Sequence, residues 1–243
     1  MTDSVGSSGY GHFPQLEKVP RHNHDGVGGM HMYMPWWKFD RKNDFLRGYH
    51  IEFGGGTEMP GVGDFHGICE EFEGYGASLK TKCRDMYGSF IGFAGRGEMI
   101  PNEQCYCEID PDTVDQWGIP VLRFHWQWSE NEIQMVKHMH KTFTDLIETM
   151  GGHVTSPDLP ADAVKAVSVG GEIIHEAGTC RMGDDPKRSV LNKWSQAHEV
   201  SNLLVVDAAP FNGNPDKNVT LTIVANAWRA AAHLADEITK GNV

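Results

Sequence analysis

The sequence predicts a chain of mixed α+β and α/β character. An antiparallel sheet carrying one long helix is expected over residues 1–168, and a strand, turn and helix run over residues 169–243. Three observations lead there. Segments of strand length at 49–53, 89–94, 104–109 and 121–126 are separated by glycine- and proline-rich turns. Ser129 followed by Glu132 forms a capping box, and Val136, Met139, Phe143, Leu146, Ile147 and Met150 then recur at spacings of three and four, one face of a helix. After Gly170-Gly171 the punctuation changes, with an apolar strand at 202–207 leading to a long amphipathic stretch over 219–239.

The bulk properties narrow the function classes. A chain of 243 residues with 40% hydrophobic content can bury a full core and has the composition of an ordinary globular protein. Lys and Arg number 21 against 33 Asp and Glu, so the net charge of −12 argues against a nucleic-acid or anionic-membrane surface. No apolar run approaches the ~20 residues that span a bilayer, and the N-terminus has no basic-then-apolar leader pattern. The chain therefore reads as soluble, with its compartment open. Five cysteines, an odd set without paired metal-type spacing, read as reduced thiols.

Residues 1–45, rich in Gly, His, Pro and Asp, show no sustained period and read as an irregular opening segment. A strand at 49–53 is expected to end in the flexible turn 54–56, with a similar turn at 61–63. Gly74-Tyr-Gly76 resembles the start of a dinucleotide fingerprint, but it follows no Val/Ile strand and the Gly-x-Gly-x-x-Gly pattern is not completed anywhere. Strands 89–94 and 104–109 flank a loop at 95–101, and Gly118-Ile-Pro120 turns into the strand 121–126. Gly151-Gly152 stops the long helix, and 153–170 connects it to the C-terminal run. The last helix presents Leu221, Val224, Ala225, Trp228, Ala232, Ala235 and Ile238 on one side, a mostly small face suited to close packing.

Thirteen histidines invite a metal reading, among them His22, His24, His31, His138 and His140. The spacing opposes it: positions 138 and 140 diverge by about 200° on a helix and cannot share an ion. Cys105 and Cys107 face one way on a strand, yet a lone Cys-x-Cys is a weak ligand pattern. No metal ligands are assigned.

Three pieces stand in one short run: His175-Glu-Ala-Gly-Thr-Cys-Arg-Met-Gly183, the strand Asn202-Leu-Leu-Val-Val-Asp207, and Asn218-Val-Thr-Leu-Thr-Ile223 opening a helix. Singly each has a bland reading: a satisfied loop histidine, an acid capping a strand-end turn, an Asn capping its own helix. In this order they resemble the C-terminal segment of the glucose-methanol-choline (GMC) family of flavin-dependent alcohol oxidoreductases. Asp115-Gln-Trp-Gly-Ile-Pro120 is a softer match to the turn that closes that family's substrate domain.

The resemblance implies an antiparallel-sheet substrate-binding domain over 1–168 and the C-terminal segment of an FAD-binding domain over 169–243. It implies a catalytic pair, with His175 as base and Asn218 hydrogen-bonding the substrate oxygen. It also implies flavin contacts from Asp207 and Ala208 and from the helix start at Val219 and Thr220. Imidazole, with a reference pKa near ~6.5, suits a base at neutral pH, and Asn cannot be a second one. A helix N-terminus with roughly half a positive charge favours negative charge on the flavin ring. Thr179 and Cys180 read as shaping the loop. The glycine-rich fingerprint for the ADP part of FAD is missing, so the implied partners are an alcohol or sugar substrate and an FAD-binding N-terminal half. Two other readings stay open: a noncatalytic carbohydrate-binding remnant, and a histidine-based metal hydrolase.

Overall fold

A computed structural model describes residues 1–20, 32–35, 43–55, 69 and 72–242. The elements, in chain order, are β1 (Val5–His12), β2 (Met32–Met34), β3 (Tyr49–Gly55), α1 (Gly76–Met86), β4 (Phe90–Gly97), β5 (Tyr106–Val114), β6 (Pro120–His125), α2 (Glu130–Thr149), β7 (His153–Val154) and α3 (Thr220–Lys240). Short 3-10 turns occupy Pro14–Leu16 and Ala163–Ala166.

Five strands form one antiparallel sheet in the order β2-β3-β4-β1-β7, and β5 pairs with β6 in a separate hairpin. The expected strands at 49–53, 89–94, 104–109 and 121–126 and the helix from 130 all exist. The first two extend further than expected: Gly54 and Gly55 lie within β3, paired with Gly92 and Ile91, rather than in a turn, and β4 runs on through Gly97. The proposed turn at 61–63, residue 56, and His22, His24 and His31 lie outside the described residues.

The opening segment corrects the sequence reading most. Residues 5–12, expected to be irregular, form β1 near the middle of the main sheet, paired with β4 from Val5↔Gly97 to His12↔Phe90. Periodicity missed it because its sequence, Val-Gly-Ser-Ser-Gly-Tyr-Gly-His, carries little apolar signal. The physical reason is α2, which lies directly on this face. A Cβ at Gly9 would stand 2.9 Å from the Phe143 ring, and one at Gly11 would stand 2.7 Å from Ile147 Cγ2. Gly95 and Gly97 on β4 meet Met139 and Met135 of the same helix. Backbone therefore packs against side chain here, and β propensity gives way to space.

On its other side of the contact, α2 follows the predicted period: Met135, Val136, Met139, Phe143 and Ile147 are buried with Tyr49, Ile51 and Phe93 in one core. The helix is capped as expected, with the buried Glu132 carboxylate accepting the Ser129 N–H at 2.9 Å and also the Ile100 N–H at 3.2 Å. Gly151, at φ 78°, ends it.

A second correction falls at 202–207. Its pairing is a single bridge, Gln196↔Leu204, with Val205 N donating to Ser195 O at 2.9 Å, and no strand forms there. An apolar run becomes a ladder only where a neighbouring strand accepts its N–H groups, and among the described residues only 195–197 lies beside it. Helix α3 likewise buries little: Ala230 is its one buried residue, whereas Leu221 is 82% and Trp228 77% exposed.

Candidate functional site

His175 is fixed by the first residues of the chain. Thr2 and Ala177 exchange both backbone hydrogen bonds, at 2.9 and 2.8 Å. The fully buried Asp3 accepts the Ser4 N–H at 2.7 Å and the His175 N–H at 3.1 Å through Oδ1, and the Gly171 N–H at 3.2 Å through Oδ2. Just before the histidine, Ile174 sits at φ 56°, a conformation costly for a β-branched residue and held by these flanking bonds. The ring is half-buried, and its Nδ1 is buried with no hydrogen-bond partner among the described residues. A buried imidazole nitrogen with an unshared lone pair or an unused proton is costly unless a hydrogen-bond partner completes it.

Beyond the histidine the chain runs beside the 208–210 turn. Gly178 N donates to Ala208 O at 3.2 Å, Cys180 N to Ala209 O at 3.0 Å, and Met182 N to Pro210 O at 2.8 Å. Gly178 permits this course: its φ is 77°, and a Cβ would stand 3.0 Å from Phe211 O. Asp207 is exposed and its Oδ1 accepts the Ala209 N–H at 2.8 Å, the turn-capping role open to a strand-end acid. A cavity of about 590 Å³ is lined in part by Cys105, Tyr106, Thr179, Arg181 and Arg188.

Asn218 does not cap α3. The N-cap is Val219, without a side-chain bond to the helix, and Thr220 and Leu221 of the first turn are exposed. The Asn218 amide turns away from the helix: Nδ2 donates to the Tyr33 hydroxyl at 3.1 Å and to Glu52 Oε1 at 3.4 Å. Behind Glu52 stands His50, 0% exposed, with Nε2 3.1 Å from Glu52 Oε1 and Nδ1 3.7 Å from Asp216 Oδ2. Asp216 also pairs with Lys217.

The charges shape one another. Burial pushes the Asp216 carboxyl up, but His50 and Lys217 together outweigh it and hold the group below the usual carboxylate range. Burial and the Asp216 charge raise Glu98, which Arg47 opposes from 3.4 Å. Partial burial and the Glu52 charge raise the Tyr33 hydroxyl, keeping it a donor at neutral pH.

Ala177, Phe211 and Val219 form a small buried cluster, with Ala208 and Ile223 packed against it. The stretch after His175, the turn after Asp207 and the start of α3 thus meet on one apolar knot, two residues from His175 and one from Asn218. Asn218 hydrogen-bonds Tyr33 and Glu52 rather than His175. The sequence reading did not single out Tyr33, His50, Glu52 and Asp216. A usable signal lay in β3, where Tyr49, Ile51 and Phe53 point under α2 and the alternate positions carry His and Glu, both buried.

Two further histidines serve the scaffold. His138 meets the Tyr49 hydroxyl at 2.8 Å and His140 meets Ser7 Oγ at 3.0 Å, on two different strands. Among the described residues no group of three His, Cys, Asp or Glu could hold a metal ion. All five cysteines are free, with the Cys69 and Cys83 sulfurs 3.4 Å apart. No helix among the described residues is long and apolar enough to cross a membrane.

Comparison with known proteins places the chain among relatives. The C-terminal GMC oxidoreductase family model matches residues 101–227. The chain is 30% identical over 161 residues to 2-methyl-1,2-propanediol dehydrogenase of Mycolicibacterium austroafricanum, covering 66% of this chain and 28% of that protein. It is 24% identical over 166 residues to the gluconate 2-dehydrogenase flavoprotein of Pantoea cypripedii, covering 68% of this chain and 27% of that one. A formate oxidase of Aspergillus oryzae, solved in work on modification of its FAD, superposes with a TM-score of 0.63 at 13% identity over 98% of this chain and 47% of that one. The chain thus spans under a third of the length of these two sequence relatives.

Proposed function

Because this chain belongs to the GMC oxidoreductase family and matches its C-terminal domain, we propose that it forms the substrate-binding and C-terminal part of an FAD-dependent enzyme oxidising CH–OH groups of alcohols or sugars. The supporting relatives include a diol dehydrogenase and a gluconate dehydrogenase flavoprotein. Residues 1–168 are the substrate-binding domain in this reading, and 169–243 complete an FAD-binding domain whose nucleotide-binding half lies on another stretch of polypeptide.

The observation that carries the reading is the open start of α3. Its first turn has no side-chain cap, Thr220 is exposed, and the neighbouring Asn218 is held outward by Tyr33 and Glu52. Unspent helix N–H groups with a partial positive charge suit the carbonyl-bearing edge of a flavin ring. Val219 and Thr220 would line that edge, and the Asp207–Ala208 turn would run along the ribityl chain. FAD, when bound, supplies the acceptor for the hydride leaving the substrate carbon.

The chain's own residues supply the rest. His175 takes the hydroxyl proton through its ring, which the Asp3 and Thr2 contacts hold in place through the backbone. Asn218 hydrogen-bonds the substrate and cannot act as a second base, so the proton is handled by His175 alone. With the C–H pair leaving as hydride and the O–H proton going to imidazole, the alcohol becomes a carbonyl compound.

Two measurements test this. In enzyme assembled from this chain and an FAD-bearing N-terminal half of the family, His175→Ala is expected to cut turnover at least 100-fold, within the usual range for a lost general base, while flavin content holds. Equal loss of both would mark a structural histidine. The isolated chain, titrated with FAD and followed by flavin fluorescence, is expected to bind weakly, because the pyrophosphate anchor of a glycine-rich turn is not among its motifs. Tight stoichiometric binding would refute that.

A further inference from the structure

We propose that Cys69 and Cys83 form a reversible disulfide, made when a peroxide oxidises Cys69 and Cys83 attacks the product, and that this bond fastens α1 to the segment before it. The bond does not depend on the flavin chemistry proposed above.

The two sulfurs stand 3.4 Å apart, although 14 positions separate them in sequence. A disulfide needs about 2.05 Å, so the remaining gap of about 1.4 Å is the scale of a side-chain rotation rather than of a helix displacement. A second contact holds the same two stretches together: Lys82 Nζ lies 5.8 Å from the centroid of the Phe72 ring. Two consecutive residues of α1, 82 and 83, thus meet positions 72 and 69 of the segment that precedes it.

Exposure separates the roles of the two thiols. Cys83 is 0% exposed and Cys69 is partly exposed, so an oxidant from solvent reaches Cys69 first. Its thiolate attacks one oxygen of hydrogen peroxide, the O–O bond breaks, and the sulfur becomes a sulfenic acid while the displaced hydroxide takes the thiol's proton as water. The Cys83 sulfur then attacks the oxidised sulfur. The S–S bond forms, the S–O bond breaks, and the departing hydroxide leaves with the Cys83 proton as a second water. Two thiols have then given up two electrons, and one peroxide has become two waters. The hydrogen bond to Cys83 pushes the Cys69 thiol up from its ordinary value, which keeps the thiolate fraction low and the first step slow at neutral pH. Cys105, the other buried cysteine, is committed elsewhere, its sulfur bonded to the Gln127 N–H at 3.3 Å and to the Gln127 carbonyl at 3.4 Å.

The bond has an effect because little else holds α1. Cys83 is the one buried residue of the helix, and Lys80, Lys82 and Arg84 around it are exposed. Its last turn is tied to Lys18, whose N–H donates to Asp85 O at 2.7 Å. A helix with so little buried surface opens locally at low cost. Closing a loop of about 15 residues removes conformational freedom from the opened state. The oxidised chain therefore holds α1 more firmly, and the reduced chain lets it open.

The test starts from the purified, reduced chain. After hydrogen peroxide, thiol alkylation and denaturation, a tryptic map is expected to show peptide 48–80 joined to Cys83-Arg84 and released by dithiothreitol. In Cys83→Ala, a sulfenic-acid trap should label Cys69. Trypsin cleavage of the native chain after Lys80, Lys82 and Arg84, read on reducing gels, should slow at least fivefold on oxidation and recover with dithiothreitol. Cys69→Ser should show no such change. The proposal is overturned by both thiols staying alkylatable after peroxide, by Cys69 paired with any cysteine other than Cys83, by a Cys69 that the trap does not label, or by a linked peptide with unchanged cleavage.

Discussion

Asp3 and His175 stand 172 positions apart in sequence, and a carboxylate oxygen of the first accepts the backbone N–H of the second at 3.1 Å. The same side chain accepts the Gly171 N–H at 3.2 Å, so the loop carrying the proposed base hangs from one buried acid.

Replacing Asp3 by Ala strands two loop N–H groups, at Gly171 and His175, in addition to that of Ser4. At about 1–3 kcal/mol for each buried donor left unmet, with part of the cost relieved by water entry, Asp3→Ala is expected to lower stability by roughly 2–4 kcal/mol in urea unfolding. Hydrogen exchange should show the loss concentrated in 170–178. A change below about 0.5 kcal/mol, the level of a neutral surface substitution, would mean the loop is held by other means.

Asp216 sets an acid dependence. Its carboxyl is held below the usual range in the folded chain, so the unfolded chain binds more protons and stability rises with pH across the window between the two values. The contribution is complete above the ordinary carboxylate pKa of ~3.9 and is lost as pH falls through the lowered folded value. Asp216→Asn should therefore be less stable than the parent at pH 7, with the gap closing on acidification toward pH 3. Urea midpoints for both proteins that run parallel across that range would contradict it.

The glycines under α2 are not equivalent. A methyl at Gly9 would meet Phe143 at its Cδ2 and at its Cβ, 2.9 and 3.1 Å away, and the Cβ cannot move without the helix. At Gly97 the obstacle is the thioether end of Met135, which can change rotamer. Gly9→Ala should accordingly cost about 1–3 kcal/mol, as overpacking does, and Gly97→Ala clearly less. Thermal melts giving the reverse order would show that α2 shifts as a unit.

The uncovered face of α3 gives a different expectation. Trp228 is 77% exposed, so Trp228→Glu should leave the urea midpoint of the isolated chain nearly unchanged, as surface substitutions do to within about 0.5 kcal/mol. If the FAD-bearing half covers that face, as the proposed function holds, the same change should weaken its capture at least tenfold in a pull-down titration.

Legibility of the sequence followed the strength of its local signals. Helix α2 was readable because Ser129, Glu132 and the buried positions through Ile147 repeat at helical spacing around one core. Strand β1 was not, because glycine marks the helix above it rather than any preference of its own backbone. The 202–207 run looked like a strand from Val205 and Val206, yet a strand is a property of two segments and the second was absent from the local pattern. At the site, the motif around His175 marked a loop that the structure ties to the first residues of the chain. The cluster around Asn218 was hidden, because Tyr33, His50, Glu52 and Asp216 are scattered in sequence and meet only when β3 docks beside the 214–219 loop.

The position of β1 also governs how the chain can fold. It precedes both strands that flank it, β4 and β7, so its hydrogen-bonding groups wait unpaired until far later residues arrive, a long-range closure of the kind that slows folding and invites misassociation. A waiting strand rich in Val, Ile or Phe would be an aggregation hazard. Here, Val5 and Tyr10 are the only large apolar side chains in the eight residues, and the rest are Gly, Ser and His. The glycines that make room for α2 in the finished molecule also leave the unfinished one with little surface to which a stray partner could adhere.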